Sequence, residues 1–391
     1  MELSRRNILK SMSALAGASF IPLSGQAATP GNELNFDLET GDLAEIVNLF
    51  DFEKMAEGKM TKMAYEFVAS GAADEFTVRW NRQALDNIKI RTRVLNDVSI
   101  VDTKISLMGL DLPYPILISP TAYHKMMHPE GEVATARGAS AASALYCISS
   151  YTTTPLEEIS KVATMPLWFQ LYVADDRNFT KEVIQKAEAN GCKALVVTVD
   201  TPVAGVRNRQ QRVNFKLPDD MKVPYLYSGN HFSNGIPIMA KKPVTWKDIE
   251  WFKTFTKMPI LLKGIMGPED AALAIKAGAA GIIVSNHSGR NLDTVPATIE
   301  VLPAIVDEVK GKIPVLMDGG IRRGTDVLKA IALGANAVLV GKPICFGLAS
   351  GGAEGVTKVL TILRKEFEMA MALSGRTSIA AIDRSLIWKN V

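Results

Sequence analysis

A chain of 391 residues, 47% hydrophobic and 22% charged, holds ample material for a large core in the usual balance of a globular protein. A formal net charge of +3, with no basic run interleaved with aromatics, argues against nucleic acid as a partner. Cys147, Cys192 and Cys345 lie scattered in or beside apolar runs without metal-ligand spacing, so they read as small buried hydrophobes and no metal site is expected.

The N-terminus reads as a targeting segment spanning residues 1–28. Ser4-Arg5-Arg6-Asn7-Ile8-Leu9-Lys10 carries a paired arginine, a mildly apolar run follows from Met12 to Leu23, and small residues suited to cleavage end near Ala27. The run is too short, and too rich in Ser, Gly and Ala, for a spanning helix. The segment resembles a twin-arginine export signal, which implies a periplasmic protein. The remaining chain, taken as residues 37–391, reads as one domain.

From Asp42 to about Ile88 apolar residues recur three and four apart. Leu43, Ile46, Val47 and Phe50 make one expected stripe, and Met60, Met63, Ala64 and Phe67 another. A third helix is expected over Glu75 to Leu85, then a hairpin from Ile105-Ser106-Leu107, turned through Gly109-Leu110-Asp111, to a return at Pro115. Beyond this the chain alternates. Short apolar runs at Ile116–Ser119, Leu145–Ser149, Leu167–Leu171, Ala194–Thr198, Ile260–Lys263, Gly281–Ser285, Val315–Asp318 and Ala337–Val340 are separated by amphipathic segments such as Val133–Ser143 and Lys181–Ala189. Eight strands alternating with helices predict an α/β fold, a single (β/α)8 TIM barrel with an N-terminal helical cap. Arg212 to Val244 has no period and reads as a loop or lid after the fourth strand.

In such a barrel the active site lies at the C-terminal strand ends, and here these ends are polar. They read Pro120-Thr121-Ala122, Ser149-Ser150, Gln170-Leu171-Tyr172, Thr198-Val199-Asp200, Lys263-Gly264, Ser285-Asn286-His287, Asp318-Gly319-Gly320 and Gly341-Lys342. Glycines and cations follow the last two strands, in Asp318-Gly319-Gly320-Ile321-Arg322-Arg323-Gly324 and Gly341-Lys342-Pro343. Backbone N–H groups approach a ligand closely there, and that corner is the usual phosphate site of the barrel, so a phosphorylated planar cofactor is expected. His287 and Arg290, three residues apart, pair a proton acceptor with a carboxylate clamp, which suits a small anionic substrate.

Taken together these motifs, with Ala69-Ser70-Gly71-Ala72, His128-Pro129-Glu130-Gly131-Glu132, Thr198-Val199-Asp200-Thr201-Pro202 and Ala372-Leu373-Ser374-Gly375, resemble the FMN-dependent α-hydroxy-acid oxidases and dehydrogenases from about Lys62 to Ile387. The resemblance implies FMN as cofactor, a small, lactate-like L-2-hydroxy acid as substrate, and an electron acceptor that the sequence does not name. It implies His287 as the base and Asp200 as its orienting partner, with Arg290 clamping the carboxylate and Tyr172 bonding the substrate. Lys263 would sit at the flavin N1 and O2 edge. Pro120, Thr121, Ala122, Ser149, Gln170, Thr198 and Ser285 would line the isoalloxazine and ribityl chain. Asp318, Gly319, Gly320, Arg322, Gly341 and Lys342 would hold the ribityl and phosphate end. For Arg207, in a loop with Arg209 and Arg212, a substrate contact and a solvated basic cluster both stay open. Barrels of this family are often tetrameric, and the sequence itself fixes no oligomeric state.

Two positions depart from the family pattern. Lys342 stands where an arginine is usual, replacing a bidentate fork with a point charge. Phe67 stands where the family places a tyrosine that touches the substrate carboxylate. Two rival readings are another FMN barrel enzyme, such as an isomerase, and a flavin-binding scaffold without turnover.

Overall fold

A computed structural model of the chain describes residues 42–226, 232–233, 236–237 and 244–388. The expected export segment, 1–28, lies outside the described residues.

Three helices come first: α1 (Leu49–Lys59), α2 (Lys62–Ala69) and α3 (Phe76–Asn87). The first expected stripe is corrected here. Asn48 accepts hydrogen bonds from the backbone N–H groups of Phe50 and Asp51, and the Asp51 carboxylate returns the contact to the Asn48 N–H. That capping box starts α1 at Leu49 and resets its phase. Ile46, Leu49, Phe52 and Ala56 face inward, while Val47 and Phe50 are 72% and 43% exposed. In the second stripe Met60 lies past the end of α1, and Ala64, Val68 and Ala69 form the buried side of α2. The hairpin is tighter than expected, with Ile105–Leu107 pairing to Leu110–Leu112, so Leu110 and Asp111 belong to the returning strand.

The eight expected runs become eight strands: β1 (Ile116–Ile118), β2 (Tyr146–Ser149), β3 (Leu167–Leu171), β4 (Leu195–Thr198), β5 (Ile260–Ile265), β6 (Gly281–Val284), β7 (Val315–Met317) and β8 (Ala337–Val340). They pair in parallel, each with the next, and β8 closes on β1. Each strand is buried on both faces, so it reads as an unbroken apolar run. Alternate residues nonetheless divide between two cores. Leu117, Cys147, Trp168, Val196, Leu261, Ile283, Leu316 and Leu339 fill the barrel interior, with Leu107 and Leu112 of the hairpin packed against them. Small Cys147 stands directly beside Trp168 in the β2–β3 register, with Ala194 in the same cluster, which leaves room for the indole. The other set, among them Ile148, Phe169, Val197, Leu262 and Val284, packs outward with the surrounding helices.

Among these helices, α4 (Gly131–Ala141), α5 (Leu156–Val162) and α6 (Arg177–Ala189) follow β1 to β3. Past β4 the short α7 (Asn208–Arg212) opens the segment expected to be aperiodic, part of which lies outside the described residues; Phe232–Ser233 and Ile236–Pro237 form an antiparallel ribbon within it. Then come α8 (Trp246–Phe252), α9 (Pro268–Lys276), α10 (Thr298–Val309), α11 (Gly324–Ala332) and α12 (Lys342–Leu373). All three cysteines are buried and free, and no metal-ligating cluster occurs among the described residues.

Candidate active site

The strand ends open into a cavity of about 1310 Å³, counting its solvent-filled mouth. Phe67, Pro120, Thr121, Ala122, Ser149, Gln170, Tyr172, Thr198, Arg207, Lys263, His287, Arg290, Asp318, Gly319, Gly320, Arg322, Gly341 and Lys342 all line it. Asp200 and Ser285 do not. Both stand one layer behind, Asp200 against His287 and Ser285 beneath Lys263 and His287. Ser285 therefore supports cavity-lining groups and is not itself part of the wall.

Hydrogen bonds between neighbouring strand ends fix the floor. Ser149 Oγ donates to Gln170 Oε1 at 3.1 Å, and Gln170 Nε2 donates to Thr198 Oγ1 at 2.9 Å. Lys263 Nζ donates to Ser285 Oγ at 2.7 Å and pairs with Asp318 Oδ2 at 2.9 Å. Burial works against the Lys263 ammonium, but Asp318 and Asp200 outweigh it and raise its basicity. Gly264 follows as a bulge: Ile283 pairs with Lys263 but Val284 with Ile265. Its φ is +114°, and a Cβ there would lie 2.5 Å from Asp200 Cβ, so only glycine lets Asp200 close on this end of the barrel.

The loop after β6 is held in a sparsely populated conformation. His287 and Ser288 have φ of +54° and +56°, which costs on the order of 1–3 kcal/mol per residue. The helical cap supplies the restraint. Asn286 and Asn81 exchange side-chain hydrogen bonds of 2.8 and 3.0 Å, and Ala72 N donates to Gly289 O at 2.7 Å. Asp293 accepts from the N–H groups of Asp74, Phe76 and Thr77 at the start of α3.

In this conformation His287 Nδ1 lies 2.9 Å from Asp200 Oδ1, and Nε2 lies 3.2 Å from the Tyr172 hydroxyl. Burial lowers the His287 imidazole below its ordinary value, and Asp200 only partly opposes this. Burial alone would raise the Asp200 carboxyl, but His287, Lys263 and Thr201 hold it below the carboxylate range. The result is a neutral imidazole with an ionised partner, ready to accept a proton at Nε2.

Arg290 Nη1 donates to the carbonyls of Phe67 and Ser70 at 2.7 and 2.8 Å. Burial, then repulsion from Arg207, pushes its guanidinium down to about 9. Arg207 lines the cavity and is half-buried, with the Tyr172, Tyr123 and Tyr151 hydroxyls near enough to act on its charge and its Nε donating to Arg290 O at 3.2 Å. Arg209 instead pairs with Glu66 and Glu75, and Arg212 is exposed. Two guanidinium groups so placed can clamp a carboxylate.

The opposite end has the chemistry of a phosphate site. Lys342 Nζ donates to Ala69 O at 2.7 Å, and burial together with the charges of Arg290 and Arg322 pushes it down to about 7. Arg322 is likewise depressed by burial. Buried cations that repel one another are stabilised by a bound dianion. Gly320 has φ +78°, and a Cβ there would lie 2.5 Å from Asn81 O, so the chain turns tightly under the cap at this point. Between the two ends, Asp318 Oδ1 is buried with no hydrogen-bond partner among the described residues, an acceptor open to a ribityl hydroxyl. The residues present thus fit a phosphorylated, hydroxylated, planar cofactor.

The wall also holds aromatic side chains that the strand-end motifs did not single out. Phe67 stacks on Phe215 with centroids 5.0 Å apart and meets Tyr123 at 5.4 Å, and Tyr151 lies 4.8 Å from Tyr172. Tyr123 and Tyr151 directly follow the strand-end motifs Pro120-Thr121-Ala122 and Ser149-Ser150, so a wider reading of those ends finds them. Phe215 sits in the aperiodic segment, where no pattern marks it. Tyr65 turns the other way, against Phe346, as two positions along a helix require.

This geometry defines a flavin-dependent hydroxy-acid enzyme, and the chain belongs to the FMN-dependent dehydrogenase family, which matches residues 56–389. FMN is its cofactor. The chain is 45% identical over 355 residues to glycolate oxidase 3 of Oryza sativa subsp. indica, covering 87% of this chain and 95% of that protein. It is also 45% identical over 357 residues to a 2-hydroxyacid oxidase of Dictyostelium discoideum, covering 90% and 92%. A structure of mandelate oxidase with (S)-4-hydroxymandelic acid superposes with a TM-score of 0.82 at 40% identity, covering 86% of this chain and 97% of that one.

Proposed function

We propose that the protein oxidises an L-2-hydroxy acid to the 2-oxo acid, passing electrons to oxygen or to a respiratory or periplasmic acceptor. The observation that carries the reading is His287, hydrogen-bonded to Asp200, in one cavity with Tyr172, Arg207 and Arg290. Arg290 and Arg207 hold the substrate carboxylate, Tyr172 donates to a substrate oxygen, and His287 Nε2 takes the proton. FMN, when bound, would take up the two electrons together with the second proton that the oxidation releases. Lys263 stands where it would stabilise negative charge on the reduced ring, and Lys342 and Arg322 would hold the phosphate. Anaerobic mixing of the purified protein with a panel of 2-hydroxy acids tests the reading. Bleaching of the oxidised flavin band supports it, and no bleaching with any acid favours a scaffold or an isomerase.

The substrate side chain meets Phe67, Tyr123, Tyr151 and Phe215. Arg290 lies with its guanidinium carbon 5.2 Å from the Phe67 ring centroid, and the ring offers no hydroxyl to the carboxylate. A hydrogen bond to a charged group contributes on the order of 1.5–3 kcal/mol, so glycolate and lactate bind weakly. A longer apolar or aromatic side chain recovers affinity by packing on these rings. Phe67→Tyr is expected to tighten lactate binding about 10- to 100-fold, with little gain for an aromatic acid. Equal, unchanged Kd values for both acids would place Phe67 away from the substrate.

Export to the periplasm through the paired arginines forms part of this proposal. Changing Arg5 and Arg6 together to lysine is expected to leave flavin-loaded protein in the cytoplasm; fractionation that still finds it in the periplasm removes that signal from the account.

A further inference from the structure

Behind His287 lies a chain of hydrogen bonds that the reaction as described above does not use. Asn291 Nδ2 is 2.9 Å from the backbone oxygen of Asp200 and 2.7 Å from Thr201 Oγ1. Thr201 Oγ1 is 2.9 Å from Asp200 Oδ1 and 3.4 Å from His287 Nδ1. The direction of every proton in this chain can be worked out. A backbone carbonyl only accepts, so the Asn291 amide must turn its nitrogen toward Asp200. That same nitrogen then donates to Thr201, whose single hydroxyl proton is left for the closest acceptor of greatest charge, Asp200 Oδ1. With that proton committed, His287 Nδ1 faces two acceptors and must carry a proton itself, which leaves the Nε2 lone pair toward Tyr172 and the cavity.

We propose that Asn291 and Thr201 form a one-way relay of donation into Asp200 that sets the pH at which His287 sheds its proton, making them positioning residues for the base. The inference rests, for its catalytic meaning, on the reading of His287 as that base. A donor bonded to a carboxylate stabilises its charge and weakens its hold on a neighbouring cation. Thr201 thus reduces the pull of Asp200 on the imidazolium. The other groups acting on His287 are Lys263 from β5, Arg207 from the loop after β4 and Tyr172 from the end of β3, and Arg290 of its own loop acts in turn on Tyr172. The cations among them disfavour the imidazolium whether or not Thr201 is present, so removing the relay isolates its effect.

The experiment follows the ring nitrogens of 15N-histidine in the FMN-loaded protein against pH. The chain has 4 histidines, and His287→Asn assigns the resonance. Thr201→Val is expected to raise the His287 midpoint by about one pH unit, Asn291→Leu to raise it by less, and Thr201→Ser to restore it. The acid limb of anaerobic flavin reduction, measured with any 2-hydroxy acid that bleaches the wild type, should move by the same amount. An unchanged His287 midpoint in Thr201→Val, or a Thr201→Ser variant that titrates like the valine one, overturns the relay. A moved midpoint with an unmoved acid limb upholds the relay and takes the role of base away from His287. If Thr201→Val does not retain the visible flavin spectrum, Asn291→Leu carries the same comparison.

Discussion

His287→Asn is expected to slow anaerobic flavin reduction about 10²–10⁴-fold while FMN stays bound, since general base catalysis contributes roughly that much. Asparagine keeps the size and polarity of the position, so the loop through Ser288 and Gly289 has no steric reason to rearrange. What disappears is a group able to carry the substrate proton. Stopped-flow bleaching of the flavin band is the measurement, and a rate near wild type would place the base elsewhere. In the wild type the pH dependence has a definite sign. Burial lowers the imidazole below its ordinary value, so activity is retained down through that ordinary range. It falls only as the pH drops through the folded value and Nε2 becomes protonated.

Lys263→Met is expected to destabilise the FMN-free protein by about 3–5 kcal/mol, the usual consequence of removing one partner from a buried ion pair. Lys263 and Asp318 have side chains 6% and 7% exposed, and the methionine would leave the Asp318 carboxylate in the barrel mouth facing only the more distant cations. Lys263→Met combined with Asp318→Leu should recover most of the loss, because removing both charges also removes the cost of burying them. Denaturant midpoints of the four FMN-free proteins close the cycle. A single variant as stable as wild type would show that the pair contributes nothing to the fold. The same substitution is expected to slow reduction in the holoenzyme, because the fixed cation beside the reduced ring is gone.

How much of this was legible in the sequence follows from what each element depends on. All eight barrel strands fall at the expected runs, since a strand buried on both faces carries its signal in every residue. Helix starts were less well placed. The segment expected from Val133 begins at Gly131, and that expected from Lys181 begins at Arg177, where Asp176 caps it. The first stripe failed because a capping box at Asn48 outweighed an apolar period that ran through it. In the site, the residues at strand ends could be found because the barrel brings all such ends to one mouth. Ser285 shares that position, but its hydroxyl turns behind Lys263. Asn81 and Asn291 carried no legible signal, and Thr201 stood in a recognisable motif that did not reveal its bond to Asp200. Their roles arise from approaches between segments, such as the Asn81–Asn286 contact across 205 residues, that no local pattern encodes.

That contact bears on how the protein loses activity. The backbone at His287 and Ser288 is strained; Asp200 and Ser285 hold His287 from the strand ends, but the loop that carries both residues is tied down from outside the barrel, by Asn81, Ala72 and the start of α3. A latch of this kind opens with the cap, through a partial unfolding that costs less than melting the barrel. On warming or in mild denaturant, the imidazole would swing out of register while the eight strands still held. Inactivation should therefore run ahead of global unfolding, and hydrogen exchange at the N-terminal helices should track it. Reforming the latch requires closure of a loop some two hundred residues long. On refolding, competence would then return as a late, separate phase, after the barrel is complete.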